Sequence, residues 1–187
     1  EALDLFESDL QLHIAEAARG RVFVHSGVVA WNGKAILVPG RSFSGKTTLV
    51  AELVRAGATY YSDEYAVLDG QGRVYPYPKP LAIRRSGSQI QTKVPVESLG
   101  GSSGNGPIPV GLVAVCSYRE GARWRPRSLS AGQGALALLA NTVPARRKPE
   151  RALAAIQRIV AAAPVMKGTR GDAASAASSI LKILDEL

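Results

Sequence analysis

The chain has 187 residues, of which 46% are hydrophobic and 20% charged, with a formal net charge of +8. This length and balance predict one globular domain, residues 1–187, that can bury a sizeable core. They exclude a membrane-spanning helix, because no apolar run approaches the roughly 18 uncharged residues that a span needs. The positive charge favours anionic partners such as nucleotides, acidic peptides or nucleic acid, without selecting among them.

The cysteine content and the N-terminal sequence bear on the compartment. The single cysteine, Cys116, can form no internal disulfide, which fits a reducing environment. The acidic, amphipathic N-terminal stretch lacks the features of a secretory signal. We therefore expect a cytoplasmic protein. Cys116 lies in an apolar run without a basic residue close by in sequence, which predicts a buried, inert thiol.

The first elements in chain order are a helix and a hairpin. Apolar residues at near-helical spacing predict a helix over residues 3–18. Two β-branched runs, 21–31 and 34–38, then flank Asn32-Gly33. This dipeptide predicts a tight hairpin, because both turn residues need positive φ. The strand that leads into residue 40 is thus expected to pair antiparallel with the strand before it.

A second helix is predicted over residues 45–56, whose apolar residues share one face. Gly57 suits its end, because glycine readily adopts positive φ. The pattern as a whole predicts an α/β fold with a mixed sheet. The other expected elements are strand at 59–69, broken strand at 73–84, a fully buried strand at 110–118, a short strand at 122–129, a helix capped by Ser130 and Gln133 through about 141, a helix at 149–163, a strand at 164–168 and a helix at 172–187.

Residues 85–108 have the most linker-like composition, above all the glycine- and serine-rich stretch 100–106. We expect this segment to be a mobile loop when no substrate is bound. A lid over a site and a passive surface loop are the two interpretations that the composition leaves open.

Residues 40–48, GRSFSGKTT, fit the phosphate-loop pattern G-x-x-x-x-G-K-[ST] between an apolar strand and an amphipathic helix. Glycines let successive backbone N–H groups converge on phosphates, and the helix N-terminus adds positive potential. Lys46 would reach the β- and γ-phosphates, and the Thr47 hydroxyl would ligate Mg²⁺. The alternative is a degenerate loop that no longer binds. The candidate nucleotide-binding residues are Gly40, Ser42, Ser44, Gly45, Lys46, Thr47 and Thr48.

An acidic pair, Asp63-Glu64, follows the loop lysine after one helix and one short strand. A carboxylate there can accept a proton from an attacking hydroxyl or help to hold Mg²⁺. The alternative is that the pair only caps a turn.

Residues 22–84, and above all the stretch HSGVVAWNGKAILVPGRSFSGKTTLVAELVRAGATYYSDEYAVL, resemble the catalytic core of the HPr kinase/phosphorylase family. The family's motifs are matched by His25-Ser26-Gly27, by Gly45-Lys46-Thr47 and by Asp63-Glu64. The resemblance implies a phosphoenolpyruvate carboxykinase-like fold. It also implies that Asp63 is the catalytic base toward a serine hydroxyl, that Glu64 is a metal ligand, and that His25 contacts phosphate or metal.

The chain departs from the family at Ala82, where the family has an active-site glutamate, but it keeps an arginine, Arg84, as a candidate substrate or phosphate contact. The resemblance implies ATP-dependent phosphorylation of a serine on a protein or peptide, with Mg²⁺. A small-molecule kinase on the same core is one alternative. A nucleotide-binding regulatory module with little catalysis is another, which the loss of the glutamate would permit. The resemblance leaves a homo-oligomer open.

Arg123 and Arg125 belong to a basic stretch around Trp124. Three interpretations remain: a solvated basic face, a clamp for an acidic substrate, and a nucleic-acid surface. No recognition helix, RNP-like motif or zinc-ligand spacing supports nucleic acid. We expect an acceptor serine near negative charge, with Arg123 and Arg125 beside it.

Overall fold

The computed structural model of the chain describes residues 2–40, 44–84, 91–146 and 149–187. Within these residues the helices are α1 (Ala2–Ala17), α2 (Lys46–Arg55), α3 (Ala131–Leu139), α4 (Pro149–Ala162) and α5 (Ala173–Asp185). The strands are β1 (Val22–Trp31), β2 (Lys34–Pro39), β3 (Thr59–Ser62), β4 (Tyr65–Leu68), β5 (Val74–Tyr75), β6 (Leu81–Arg84), β7 (Gln91–Val94), β8 (Val110–Tyr118), β9 (Arg127–Ser128) and β10 (Val165–Arg170). Single turns of 3₁₀ helix cover Val96–Leu99 and Val143–Arg146.

The main sheet is mixed, which confirms the α/β expectation. Its strand order is β5-β4-β1-β2-β8-β10-β9, and β3 also pairs with β1 beyond the end of β4. The neighbours β2, β8 and β10 run parallel, while β1 is antiparallel to β2 and β9 is antiparallel to β10. A separate hairpin joins β6 and β7. A mixed sheet of this order needs helices on both faces to bury its central strands.

The predicted hairpin is present between β1 and β2. Trp31 pairs with Lys34 across the turn, and Asn32 and Gly33 have φ of 49° and 74°. Asp185 in α5 accepts hydrogen bonds from Trp31 Nε1 at 2.7 Å and from Asn32 Nδ2 at 2.8 Å. The closing helix therefore docks on the same turn that begins the strand leading to the 40–47 loop.

Alternate side chains of the central strands pack against different helices. One face contacts α2 and α5, and the other contacts α3 and α4. Because successive strand residues point to opposite faces, each central strand contributes to both halves of the core. Fully buried members of the first half include Val29, Ile36, Leu53 and Ile180, and those of the second include Val28, Leu37, Leu138 and Ile156.

Most predicted helices and strands are confirmed, although some differ in extent or burial. Ser130 and Gln133 make both hydrogen bonds of a capping box at the start of α3. The strand expected over 122–129 is reduced to Arg127–Ser128. β8 is buried only in its first half, and its end is exposed at Tyr118. The described helices include none that is long and apolar enough to cross a membrane.

Helix α1 forms as expected, but its packing face differs from the apolar stripe. Gln11 and Ala15 are buried, whereas Phe6, Leu10 and Ile14 are 67%, 47% and 44% exposed. The periodicity thus predicted the helix correctly without predicting which face contacts the sheet.

The linker-like segment is more regular than its composition suggested. Residues 91–94 form β7. The backbone of 100–108 is hydrogen-bonded to two strands of the main sheet. Tyr60 N of β3 donates to Ser102 O at 2.8 Å, and Ile108 N donates to Val74 O of β5 at 3.0 Å. A Cβ on Gly104 would collide with the ring of Tyr61, so this glycine serves close packing. Residues 85–90 lie outside the described residues. Mobility of 85–108 without substrate, like the assignment of 1–187 to one domain, stays a prediction.

Candidate functional site

The predicted site elements meet at one edge of the sheet. β2, β8 and β10 are parallel, and β3 shares their direction because β2 and β3 are both antiparallel to β1. The carboxyl ends of these strands therefore lie at one edge. The 40–47 loop follows β2, and Asp63 follows β3. This convergence brings the loop and the acidic pair together, although α2 separates them in sequence.

Glycines shape the two ends of the loop. Gly45 precedes the first residue of α2 and has φ of 81°, a left-handed conformation that favours glycine. A Cβ at this position would also collide with the guanidinium of Arg170. A Cβ on Gly40 would come within 2.8 Å of Ser44 Oγ. Lys46 and Thr47 thus begin α2 directly after a position that favours glycine, both for its backbone conformation and for its close contact with Arg170. Ser42 lies outside the described residues, and Thr48 is exposed.

The expected continuous strand 59–69 is wrong, because the chain turns at the acidic pair. Ser62 Oγ accepts hydrogen bonds from the backbone N–H groups of Glu64 at 3.1 Å and Tyr65 at 3.0 Å. A serine hydroxyl that accepts from backbone N–H groups replaces the hydrogen bonds that these groups would otherwise make to a neighbouring strand. The turn is therefore capped by Ser62, and the Asp63 side chain is left to contact other groups.

The carboxylate of Asp63 contacts three elements. Thr47 Oγ1 lies 3.2 Å from Asp63 Oδ2, and the Tyr60 hydroxyl lies 3.3 Å from Asp63 Oδ1. The backbone of Ala82 also lies near this carboxylate and acts to lower its pKa. The Tyr60 hydroxyl makes a shorter bond, 2.7 Å, to the carbonyl of Lys79. Asp63 therefore lies between the start of α2 and the segment that leads into β6.

Burial changes the acidity of Asp63 and Lys46 in opposite directions. Burial raises the pKa of the Asp63 carboxyl, against the hydrogen bonds from Thr47 and Tyr60 that would lower it. Burial lowers the pKa of the Lys46 ammonium, against the charges of Asp63 and Glu64 that would raise it. Burial thus makes both charged forms costly. Such perturbed pairs in one place are typical of functional sites.

His25 adjoins the loop through its backbone. Its carbonyl accepts from Gly40 N at 3.2 Å, and its own N–H donates to Asn141 O at 2.7 Å. The imidazole packs on Tyr65, with ring centroids 4.6 Å apart. Burial, and then the charge of Lys46, lower the pKa of His25. A neutral imidazole is favoured at neutral pH, one that can accept or donate a hydrogen bond beside the loop.

The oxygen donors at this edge suit Mg²⁺ held together with phosphate. Thr47 and Asp63 supply a hydroxyl and a carboxylate 3.2 Å apart, and Mg²⁺ prefers one or two protein oxygens plus phosphate and water. Glu64 pairs with Lys79 at 3.6 Å. Within the described part of the chain, no three His, Cys, Asp or Glu side chains are grouped to hold a metal by themselves.

The arginines predicted from sequence come from two segments. Arg123 and Arg125 are exposed in the segment that leads to β9, the strand next to β10. The intervening Trp124 packs on Gly168 of β10. Contact of Arg123 and Arg125 with an acidic acceptor stays a prediction. Arg84 ends β6, two residues beyond Ala82.

Two residues at the site were not found by sequence reasoning. Arg170 ends β10 and is 3% exposed, with its Nη2 donating to the carbonyl of Gly45 at 2.8 Å. Tyr60 is 1% exposed and contacts Asp63. Neither belongs to a local motif, so only the pairing of distant strands reveals them. Cys116 is half-buried near Arg170, and burial raises the pKa of its thiol to about 12, as expected of an inert cysteine.

Comparison with known proteins adds no relative: no protein-family model matches the chain, and no curated protein matches its sequence. The functional interpretation therefore depends on the motifs and on the geometry described above.

Proposed function

We propose that the protein is an ATP-dependent kinase that transfers a phosphoryl group to a serine hydroxyl of a protein or peptide. The observation that carries the proposal is the juxtaposition of Thr47 and Asp63, 3.2 Å apart at the edge where the 40–47 loop begins α2. A phosphate-loop pattern with a half-buried carboxylate beside its hydroxyl is the combination that phosphoryl transfer requires.

The roles in this proposal follow from the chemistry of each group. Backbone N–H groups of the loop and the ammonium of Lys46 hold the phosphates, which offsets the cost of burying that ammonium. Thr47 and Glu64 would hold Mg²⁺, and the ion would neutralise charge on the transferred group. Asp63, whose raised pKa makes it a better proton acceptor, orients and deprotonates the acceptor hydroxyl. The proposed fold is phosphoenolpyruvate carboxykinase-like.

A nucleotide-binding regulatory module is the second candidate, and one observation favours it. Position 82, where the resembled family has a glutamate, is an alanine whose backbone lies against Asp63. The site therefore has one carboxylate fewer for catalysis at that point, while the groups suited to binding phosphate are intact.

One experiment separates these candidates. The protein is incubated with Mg²⁺ and ATP labelled in the γ-phosphate, together with serine peptides of acidic and neutral sequence and with the proteins encoded by neighbouring genes. Mass spectrometry then locates the label, and the Lys46→Ala variant is the matched control. We expect phosphoserine that depends on Lys46. ATP binding without labelled product would favour the regulatory module, and label on a small molecule would favour the small-molecule kinase.

A further inference from the structure

Within the described residues, Arg170 is a buried cation without a carboxylate partner. Its side chain comes from the end of β10, and the residue is 3% exposed. Among the described residues no carboxylate lies within ion-pair distance of it. Its contacts are two backbone carbonyls, Gly45 at 2.8 Å from Nη2 and Gly171 at 3.1 Å from Nη1, and the ring of Tyr118, whose centroid is 5.6 Å from Cζ.

A buried charge of this kind is expensive unless something compensates it. Carbonyl dipoles and an aromatic face compensate only in part. Arg170 lines a small space together with Ser44, Lys46 and Cys116. Held there by carbonyl oxygens and a ring, Arg170 places an incompletely compensated positive charge beside the start of α2.

The hydrogen bond to Gly45 acts on the geometry of the loop itself. In a trans peptide the C=O of one residue and the N–H of the next point in opposite directions. By holding the carbonyl of Gly45, Arg170 fixes the Gly45–Lys46 peptide plane with the N–H of Lys46 directed away from the guanidinium. The N–H groups in the first turn of a helix have no acceptor within the helix, so the direction of this one decides whether it can reach a bound phosphate. The Gly45 carbonyl also accepts from Leu49 N at 3.2 Å, so the arginine braces the first turn of the helix.

We propose that Arg170 is a positioning residue of the phosphate site, which orients the Gly45–Lys46 peptide and supplies a second fixed positive charge beneath the loop. The part of this inference that concerns ATP rests on the proposed function, whereas the part that concerns the loop does not. A guanidinium is needed because one side chain must donate to the carbonyls of both Gly45 and Gly171. A single ammonium satisfies two such carbonyls less well.

The test compares Arg170→Gln, Arg170→Lys and the control Arg151→Gln, which removes an equal charge from the exposed face of α4. Amide hydrogen exchange of residues 44–50 is measured without nucleotide, and the dissociation constant of Mg-ATP is measured by calorimetry. For Arg170→Gln we expect faster exchange at 44–50 by about 10-fold or more and Mg-ATP binding weaker by about 10- to 100-fold, the range for a lost charged hydrogen bond. Arg170→Lys should be intermediate, and Arg151→Gln should match the wild type.

The outcomes separate this inference from the proposed function. Unchanged exchange at 44–50 together with unchanged Mg-ATP affinity in Arg170→Gln overturns the inference. Faster exchange spread evenly over the sheet also overturns it, because that result marks a purely structural arginine. A wild type that binds no Mg-ATP contradicts the proposed function, and the exchange of 44–50 still decides the positioning role. Should Arg170→Gln fail to fold, Arg170→Lys supplies the same comparison.

Discussion

The two ends of the short strand β4 each carry an aspartate, and the two residues are in opposite chemical situations. Asp69, after the strand, is 6% exposed and accepts hydrogen bonds from the backbone N–H groups of Gln71 at 2.9 Å and Arg73 at 3.0 Å. The Arg73 guanidinium adds Nε and Nη2, both at 2.9 Å. Asp63, before the strand, has longer side-chain bonds of 3.2 and 3.3 Å to two hydroxyl groups.

The pKa values of the two aspartates move in opposite directions. Burial alone would raise the pKa of Asp69, but the hydrogen bonds from Arg73 and Gln71 hold it below its usual value. Burial raises the pKa of Asp63, and its hydrogen bonds do not offset this. A carboxylate that accepts several short hydrogen bonds, like that of Asp69, stabilises its turn. A buried carboxylate with longer hydrogen bonds, like that of Asp63, lowers the stability of the fold when it is ionised and can accept a proton or bind a cation. We therefore expect Asp69 to act in the fold and Asp63 in the proposed site.

The largest expected effect comes from removing the cation near Asp63. Lys46→Ala should weaken Mg-ATP binding by about 10²-fold or abolish turnover, since it removes the charge contact to the β- and γ-phosphates. Arg73→Ala, which removes the cation of Asp69, should lower stability and leave Mg-ATP affinity unchanged. Calorimetry and a labelled-ATP assay measure both variants. Equal affinity and turnover in wild type and Lys46→Ala would remove the phosphate-loop interpretation.

Substituting Asp63 should separate binding from transfer. In Asp63→Asn, Mg-ATP affinity should stay within a few-fold, while phosphoryl transfer falls by about 10² or more, the usual scale for a lost positioned base. Single-turnover kinetics with a serine peptide and calorimetry give the two quantities. Activity that declines only in proportion to the folded fraction would instead make Asp63 a structural residue.

The matched change at the other end of β4 should affect stability alone. Asp69→Asn weakens up to four hydrogen bonds of the 69–73 turn and should lower the free energy of unfolding by about 1–3 kcal/mol. Transfer per folded molecule should equal that of the wild type. Urea unfolding and the same kinetic assay measure this, and a loss of transfer beyond the loss of folded protein would contradict the assignment.

The opposite pKa shifts predict opposite dependence of stability on pH. A carboxyl whose pKa is raised on folding binds its proton more tightly in the folded state, so its contribution to stability falls as pH rises above the usual value near 4. The melting temperature of Asp63→Asn relative to wild type should therefore increase from pH 4 to pH 7. For Asp69→Asn the difference should become more negative as pH rises from about 2 to about 5 and then stay nearly constant, because a lowered pKa contributes stability that is present above the unfolded value and lost as pH falls through the folded one. Scanning calorimetry over both intervals checks the two signs, and equal slopes would contradict the contrast.

The smallest effect is expected at the exposed arginines. Replacing Arg123 and Arg125 by Gln should raise the acceptor KM a few-fold at low salt and leave Mg-ATP affinity unchanged, because exposed charges contribute little and are screened over about 8 Å at physiological ionic strength. Steady-state kinetics with acidic and neutral serine peptides at two salt concentrations measure this. An acceptor KM that depends on neither salt nor these substitutions would make the basic stretch a solvated face.

Sequence by itself determined the features that a few neighbouring residues encode. The Asn32-Gly33 hairpin, the capping box at Ser130 and the end of α2 at Gly57 were all predicted, because each depends on local φ preferences or on hydrogen bonds within one turn. The candidate loop and the acidic pair were also found from local patterns, and their roles stay predictions. Periodicity predicted α1 but not its buried face, since that face is chosen by what the helix packs against.

Tertiary structure alone decided which groups meet. Arg170 contacts Gly45 although the two residues are 125 positions apart in the chain, and the contact exists because β10 and β2 flank β8 in one parallel set. The same sheet order places β9, which follows Arg123 and Arg125 in the chain, at the opposite end of this set from β2, and the role of these two arginines stays a prediction. It also pairs the glycine-rich segment with β3, where close contact with Tyr61 rather than flexibility explains Gly104. The physical reason is that strand order depends on the burial of whole sheet faces, a sum over distant residues that no local pattern contains.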